Sequence, residues 1–126
     1  MSHIAKIELD INDLDALRAA CVELGASLST EKKSFIWYSG ESFCDAVIQV
    51  PGASYEIGVV RCGQNFELCC DLYESGGLEK ALGKGLGRLK QAYARERVRR
   101  EARQKGYAVR EQKTEKGIRL VLTQRR

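Results

Sequence analysis

Residues 44–72 have the sequence CDAVIQVPGASYEIGVVRCGQNFELCCDL, in which apolar and polar side chains alternate around two turns. Pro51-Gly52 supplies the first turn and Gly63-Gln64-Asn65 the second. A period of two residues is typical of half-buried strands, and short connections join antiparallel neighbours. This stretch therefore predicts three consecutive strands of an antiparallel meander.

The residues before the meander predict a strand, a helix and a second strand. Side chains alternate from Ile4 to Ile11, and Asn12-Asp13 then offers an N-cap oxygen for a first helical turn. Apolar residues follow at helical spacing at Leu14, Leu17, Cys21 and Leu24. Gly25 stands where a left-handed C-cap is needed, and the β-prone cluster of residues 35–38 predicts the next strand.

The residues after the meander predict a long helix and a closing hairpin. The apolar side chains of this helix fall within about 80° of one face, at roughly 100° per residue. They are Leu78, Leu82, Leu86, Leu89 and Tyr93. Helix propensity stays high up to Gly106, and two short alternating strands then flank a turn at Lys116-Gly117.

This order of elements predicts one α+β domain over residues 1–126, with a mainly antiparallel sheet and two helices on one face. The closest named architecture is a ferredoxin-like core with an added C-terminal hairpin. A chain of 126 residues and 14.1 kDa is long enough for one hydrophobic core.

The charge of the chain is divided along its length. Residues 1–79 carry five Lys or Arg against thirteen acids, a net charge of −8, whereas residues 80–126 carry sixteen against four, a net charge of +12. Net charge informs on partners and not on fold. The division predicts that the C-terminal third meets an acidic protein or a nucleic acid.

Arginines concentrate at the end of the second predicted helix. The candidate binding residues are Arg88, Arg95, Arg97, Arg99, Arg100 and Arg103. Guanidinium groups fork onto phosphate or carboxylate, which favours an acidic partner. The alternative is a solvated helix with i,i+4 pairs from Glu96 to Arg100 and from Glu101 to Lys105. The binding hypothesis requires that carboxylates of the same chain leave these arginines free.

No catalytic or cofactor motif emerges from the remaining candidates. The segment Gly83-Lys84-Gly85 lacks the defining positions of a phosphate-binding loop, and a late helix start or close packing accounts for its glycines. The five cysteines are irregularly spaced, and His3 is the single imidazole. We therefore expect no enzyme activity, no metal and no cofactor.

The chain is expected to be cytosolic. No apolar run approaches the roughly 20 residues that span a bilayer. The opening residues lack a basic region, a long apolar stretch and a small-residue cleavage site, which a signal peptide requires. An odd number of cysteines without an export signal also favours free thiols in a reducing compartment.

Several segments in the same order resemble a known family. They are Met1-Ser2-His3; Leu14, Leu17, Leu24 and Gly25; Tyr55-Glu56-Ile57-Gly58; Phe66-Glu67-Leu68 with Asp71; Leu89, Gln91, Ala92 and Tyr93; Gly106-Tyr107; and Gly117-Ile118-Arg119-Leu120. Together they resemble the hypothetical chloroplast open-reading-frame family numbered thirty-five, a family of unknown function in bacteria, cyanobacteria and plastid genomes. The resemblance implies a small cytosolic protein, and bacterial relatives resemble accessory partners encoded with ATPase components.

Two functional hypotheses follow. The first is a non-catalytic interaction domain or accessory subunit that presents the arginines to an acidic protein or nucleic acid, with a companion ATPase as one candidate partner. The second is a self-assembling subunit, in which the acidic body of one copy contacts the basic helix of another.

Overall fold

The computed structural model describes residues 3–115 and 117–124. Its helices are α1 (Leu14–Glu23), α2 (Leu78–Leu82) and α3 (Gly87–Gln104). Its strands are β1 (Ala5–Ile11), β2 (Ser27–Ser29), β3 (Ser34–Trp37), β4 (Gly40–Phe43), β5 (Ala46–Gln49), β6 (Ile57–Cys62), β7 (Asn65–Cys70), β8 (Tyr107–Thr114) and β9 (Gly117–Gln124). The α+β class is therefore confirmed.

A five-stranded sheet forms the centre of the fold. Its strand order is β1-β7-β6-β5-β2, and every neighbouring pair is antiparallel. The predicted meander is confirmed as β5, β6 and β7. The turn between β6 and β7 is tighter than expected, because Cys62 and Asn65 already pair and only Gly63 and Gln64 remain in the loop.

The helices cover one face of this sheet, as the sequence predicts. Ile48, Ile57 and Leu68 project from the sheet and are fully buried with Leu17 of α1 and Leu89 of α3. Tertiary packing of these apolar faces, more than helix propensity, stabilises helices of this length. Asp13 caps α1, since its Oδ1 accepts a hydrogen bond from the Ala16 amide at 3.0 Å.

A β-hairpin made of β3 and β4 lies against the opposite face of the sheet. Phe35 of β3 is buried there with Val47 of β5, in a core separate from that of the helices. Gly58 of β6 makes room for the ring, since a Cβ at this position would lie 2.3 Å from Phe35 Cδ1. The predicted strand at residues 35–38 therefore exists, but it pairs with β4 and not with the main sheet.

The comparison with a ferredoxin-like core does not extend to the arrangement of the strands. In a split β-α-β unit, one strand separates the two strands that the helix connects. Here α1 connects β1 to β2, and three strands lie between them. Sequence reasoning missed the short strand β2, whose three residues form one edge of the sheet.

The long second helix is interrupted, so the predicted continuous helix from Leu78 is wrong. A 3-10 turn at Lys84–Leu86 separates α2 from α3. Gly83 and Gly85 have φ angles of 85° and 61°, which glycine adopts easily and which end α2. The late helix start proposed for these glycines is confirmed at Gly87, and the apolar residues on both sides of the break remain buried.

The added C-terminal hairpin is confirmed. Strands β8 and β9 pair antiparallel from Tyr107↔Gln124 to Thr114↔Gly117 and form a sheet of their own. Their most extensive contact with another element is with α3. Lys116, predicted in the turn, lies outside the described residues.

Candidate functional site

The predicted row of arginines lies on α3. Among those that form ion pairs, Arg95 has the least exposed side chain. Its guanidinium contacts the Glu23 carboxylate at the end of α1, and its Nε lies 3.3 Å from Glu111 Oε1 on β8. Only 10% of the Arg95 side chain is exposed. Charge-assisted contacts of this kind are stronger than neutral ones. Arg95 therefore joins α3 to two other elements of its own chain.

Two neighbouring arginines are paired in the same way. Arg97 Nη1 lies 3.4 Å from Asp13 Oδ2, which belongs to the N-cap residue of α1. Arg99 contacts Glu111, and its Nη1 lies 3.3 Å from Glu96 Oε1. These carboxylates come from α1, from α3 itself and from β8.

Arg100 completes this group. Its Nε lies 3.9 Å from Glu96 Oε2, and its Nη2 donates a hydrogen bond to the Asp15 carbonyl at 3.4 Å. Glu96 is buried, and a buried carboxylate is stable only with charge or hydrogen-bond partners. Arg99 and Arg100 supply those partners. The predicted i,i+4 pair from Glu96 to Arg100 is therefore present, at a long distance.

The binding hypothesis required arginines that their own chain leaves free, and this premise is wrong for Arg95, Arg97, Arg99 and Arg100. We call these four residues the arginine clamp. They are held because α1 and β8 bring acidic side chains onto α3, which no local pattern in the sequence reveals. The arginine clamp contacts carboxylates of the two ends of α1, of α3 itself and of β8.

The two other predicted binding residues lie near opposite ends of α3. Arg88 is exposed, and its Nη1 donates to the Ala81 carbonyl at 3.0 Å. Arg103 is exposed and makes no ion pair with a described residue. The structure therefore does not bring the six predicted residues together as one open surface.

Tyr93 adds an uncharged contact between α3 and the start of α1. Its Oη accepts hydrogen bonds from the Asn12 amide at 3.1 Å and from the Asp13 amide at 3.4 Å. Amides that precede a helix lack partners within the helix, so a phenol oxygen satisfies them here. The apolar ring of Tyr93 is buried, as predicted.

Two main-chain amides of the glycine segment before α3 donate hydrogen bonds within the chain. The Gly85 amide donates to Glu79 Oε2 at 2.6 Å, and the Leu86 amide donates to the Gly83 carbonyl at 3.0 Å. A phosphate-binding loop needs such amides to point at the ligand. Both of these amides are bonded within the chain.

Three of the five thiols, those of Cys21, Cys44 and Cys70, are buried, whereas Cys62 is exposed and Cys69 is half-buried. Burial raises the pKa of Cys21 and of Cys70 to about 12, so both thiols are protonated near neutral pH. Burial also raises the pKa of Cys44 and of Cys69. His3 is exposed at the start of the described chain. Within residues 3–115 and 117–124, no three His, Cys, Asp or Glu side chains lie together as a set of metal ligands.

A second surface, which the sequence did not predict, carries exposed aromatic side chains. Tyr38 is 65% exposed, Phe43 73% and Tyr73 49%, and Ile36 is also exposed beside them on the hairpin. The rings of Tyr38 and Tyr73 meet edge to face, with centroids 6.1 Å apart. We call these four residues the aromatic surface. Four of the five large exposed apolar side chains in the described chain lie on it.

Buried Asp71 fixes the two tyrosines. Its Oδ1 accepts a hydrogen bond from the Tyr73 amide at 2.9 Å, and its Oδ2 accepts one from the Tyr38 amide at 3.4 Å. Asp71 is 1% exposed. One carboxylate therefore links the hairpin turn to the segment after β7, through the main chain of the two residues whose rings are exposed.

Buried Glu56 anchors the other end of the exposed stretch. Its carboxylate accepts hydrogen bonds from Lys32 Nζ at 2.8 Å, from Gln49 Nε2 at 3.0 Å and from the Ile36 amide at 3.0 Å. Burial raises the pKa of Glu56, but the hydrogen bonds from Lys32, Gln49 and Ile36 outweigh burial and leave the pKa below its usual value. Its own amide donates to the Ile36 carbonyl at 2.9 Å.

The sequence contains one signal for this surface. Phe35, Ile36, Trp37 and Tyr38 are four large apolar residues in a row, whereas neighbouring residues of a strand point to opposite faces. Phe35 faces the core, and the alternate residues Ile36 and Tyr38 are exposed. The pairing of β3 with β4 determines which of these residues face solvent, and the sequence did not predict that pairing.

A comparison with protein families assigns the chain to one of them. A family described as "Protein of unknown function (DUF1257)" matches residues 20–121. The chain belongs to the DUF1257 family. No curated protein and no solved structure matches it.

The DUF1257 match includes both surfaces described above. It begins at Ala20 in α1 and ends at Val121 in β9, so it spans the aromatic surface and the whole of α3. It leaves out β1 and the first half of α1. In this DUF1257 chain, no helix among the described residues has the length and apolar character needed to cross a membrane.

Proposed function

We propose that this protein is a non-catalytic interaction domain, an accessory subunit that binds a protein partner through its aromatic surface. The observation that carries the proposal is the Tyr38-Tyr73 pair, whose rings are exposed to solvent and whose main-chain amides are bonded to buried Asp71. Exposed clusters of large apolar side chains mark interaction sites more often than single exposed residues do.

The chemistry of these residues fits a binding role. Tyrosine offers a large contact area with few rotatable bonds and a polar end, and it is enriched at the residues that dominate binding energy. The backbone hydrogen bonds to Asp71 and Glu56 keep the hairpin ordered before any partner arrives. A preordered surface loses less conformational entropy on binding than a flexible one.

Affinity purification from the source organism, with nuclease treatment, tests the proposal. Tyr38→Ser/Tyr73→Ser removes both rings, and Val22→Ser is the matched control because Val22 is exposed on α1, outside the aromatic surface. We expect the double variant to lose the partner that wild type and Val22→Ser both retain. Unchanged recovery of that partner by a double variant with a native far-UV circular dichroism spectrum would refute the proposal.

An acidic partner remains the second candidate, because some cations of the basic third are free of carboxylates. Lys84 and Arg103 are exposed and make no ion pair with a described residue, and Arg88 is bonded only to a carbonyl. Binding to a nucleic acid or acidic protein through them would weaken steeply with salt. Lys84→Gln/Arg103→Gln should then reduce the salt dependence, whereas binding through the aromatic surface should be less sensitive to salt.

Three finer statements belong to the same proposal. They are membership of the chloroplast open-reading-frame family numbered thirty-five, a companion ATPase as the partner, and a cytosolic location, and all three rest on the sequence resemblance and on sequence features. Self-assembly through acidic and basic surfaces is the alternative. Light scattering at low salt separates it from a partner-binding role, since a chain that stays monomeric at high concentration does not self-assemble.

A further inference from the structure

Strand β4 has an open edge. Its described partner is β3, with Ile36 opposite Glu41 and Ser34 opposite Phe43. The Ile36 amide and carbonyl are both bonded to Glu56, so they point away from β4. Residues opposite each other in an antiparallel pair alternate between bonded and non-bonded positions. Ile36 and Glu41 are therefore a non-bonded pair, and the main-chain groups of Glu41 also point outward.

The same alternation applies two residues further along β4. Phe43 and Ser34 form the next non-bonded pair, so the amide and carbonyl of Phe43 point to the same open edge as those of Glu41. Both residues are exposed. An exposed row of unpaired donors and acceptors is a template for another strand.

The edges of the main sheet are better protected. The exposed side chains of β1 are the charged Lys6, Glu8 and Asp10, and its pairing with β7 shifts between Ile7 and Ile11. Charges and irregular pairing both discourage edge-to-edge association. The other edge strand, β2, has only three residues. Unlike β1 and β2, β4 combines open main-chain groups with a large exposed aromatic side chain, Phe43.

We propose that β4 accepts an extended segment of a partner protein as an added strand, and that this segment carries a basic residue and an apolar residue two positions apart. This inference rests on the proposed interaction function and names the chemistry of the partner. An added strand would place alternate side chains beside Glu41 and Phe43, which lie on one face of the hairpin. Phe43 offers contact to an apolar side chain, and Glu41 offers contact to a cation.

Charge complementarity selects this occupant. Glu41 accepts a hydrogen bond from Ser34 Oγ at 3.2 Å and makes no ion pair with a described residue. Residues 1–79, which include β4, carry a net charge of −8. A second copy of β4 paired antiparallel would place Glu41 opposite Phe43, with the two Glu41 carboxylates diagonal to each other and no cation beside either of them. A basic segment of another protein therefore fits better than self-pairing.

Titration with a short peptide in which lysine and valine lie two positions apart and threonine separates them tests the inference. The control peptide carries glutamate in place of each lysine. We expect the lysine peptide to bind and to protect the Glu41 and Phe43 amides from hydrogen exchange, and we expect the glutamate peptide to bind at least tenfold more weakly. Protection of other amides, or no binding of the lysine peptide, would overturn strand addition.

Variants of β4 separate the contributions that its main chain and its side chains make to binding of the lysine peptide. Phe43→Pro removes the outward amide, and proline is tolerated at such edge positions. Phe43→Ala is the matched control, since it removes the ring and keeps the amide. We expect Phe43→Pro to bind the lysine peptide at least tenfold more weakly than Phe43→Ala, and Glu41→Gln to lose less. Equal binding by Phe43→Pro and Phe43→Ala would overturn the inference, and the exchange experiment on the wild type remains decisive if Phe43→Pro misfolds.

The two proposals can fail separately. If Tyr38→Ser/Tyr73→Ser loses the natural partner while Phe43→Pro retains it to the same extent as Phe43→Ala, the interaction function stands and strand addition is wrong. If the tyrosine variant retains the partner, the proposed function is wrong, whatever the result with the peptide.

Discussion

Gly58→Ala should destabilise the protein by pressing the β3-β4 hairpin away from the sheet. An alanine Cβ at this position would lie 2.3 Å from Phe35 Cδ1 and 2.6 Å from Cε1, far inside van der Waals contact. Phe35 is 1% exposed, so its ring has no free volume to enter. Either the hairpin or β6 must therefore move.

Overpacking of a filled core typically costs about 1–3 kcal/mol in the free energy of unfolding, and we expect a value in this range. Gly87→Ala is the matched control. An alanine Cβ at Gly87 meets no atom within 4 Å, and its φ angle of −57° suits alanine. This control should stabilise the protein by about 0.4–1 kcal/mol, because alanine restricts the unfolded chain.

Urea denaturation followed by tryptophan fluorescence measures both effects. Trp37 is the single tryptophan and packs with Phe35 on the buried side of the hairpin, so its emission reports this contact. Phe35→Leu should relieve part of the overlap, which gives a favourable coupling of at least about 0.5 kcal/mol in a double-mutant cycle. Additive effects of Gly58→Ala and Phe35→Leu would refute the packing argument.

Three further predictions concern the polar contacts. Glu56→Gln should cost roughly 1–3 kcal/mol near neutral pH, because Lys32 loses a buried charge partner. The lowered pKa of Glu56 means that the unfolded chain binds more protons between the two pKa values. The free energy of unfolding should therefore fall as the pH drops below about 4.5, and less so in Glu56→Gln, as measured by urea denaturation from pH 7 to pH 3. Glu111→Gln should cost about 1 kcal/mol and speed hydrogen exchange in β8, because it takes a charge from the arginine clamp, whereas Glu101→Gln at an exposed pair should change neither quantity. Tyr93→Phe should cost about 1 kcal/mol and expose the amides before α1 to exchange; unchanged exchange there would contradict the assigned hydrogen bonds.

The elements of this fold were largely predictable because their signals are local. The alternation in residues 44–72 gave the meander, and the spacing of Leu14, Leu17 and Cys21 gave α1. The strand β4 was not predicted, and two further errors had specific causes. The helical period continued across Gly83 and Gly85, which hid the break between α2 and α3, and β2 was too short to show a period.

The candidate sites were less predictable because they depend on residues far apart in the sequence. Arg95 meets Glu23 across 72 positions, and Tyr38 meets Asp71 across 33. A row of arginines looks the same in the sequence whether its charges are free or paired. The sequence therefore correctly indicated the helix that carries the arginines. It wrongly indicated that four of these arginines are free of carboxylates from their own chain.

By itself, the sequence determined the α+β class, the antiparallel meander, the apolar face of each helix and the basic C-terminal third, since periodicity and charge are properties of neighbouring residues. Only the tertiary structure decided which charges neutralise each other and which aromatic side chains stay exposed. The physical reason is that distant segments of the chain pack together. This packing decides whether a guanidinium group meets a carboxylate and whether a ring faces solvent, and no local sequence pattern encodes it.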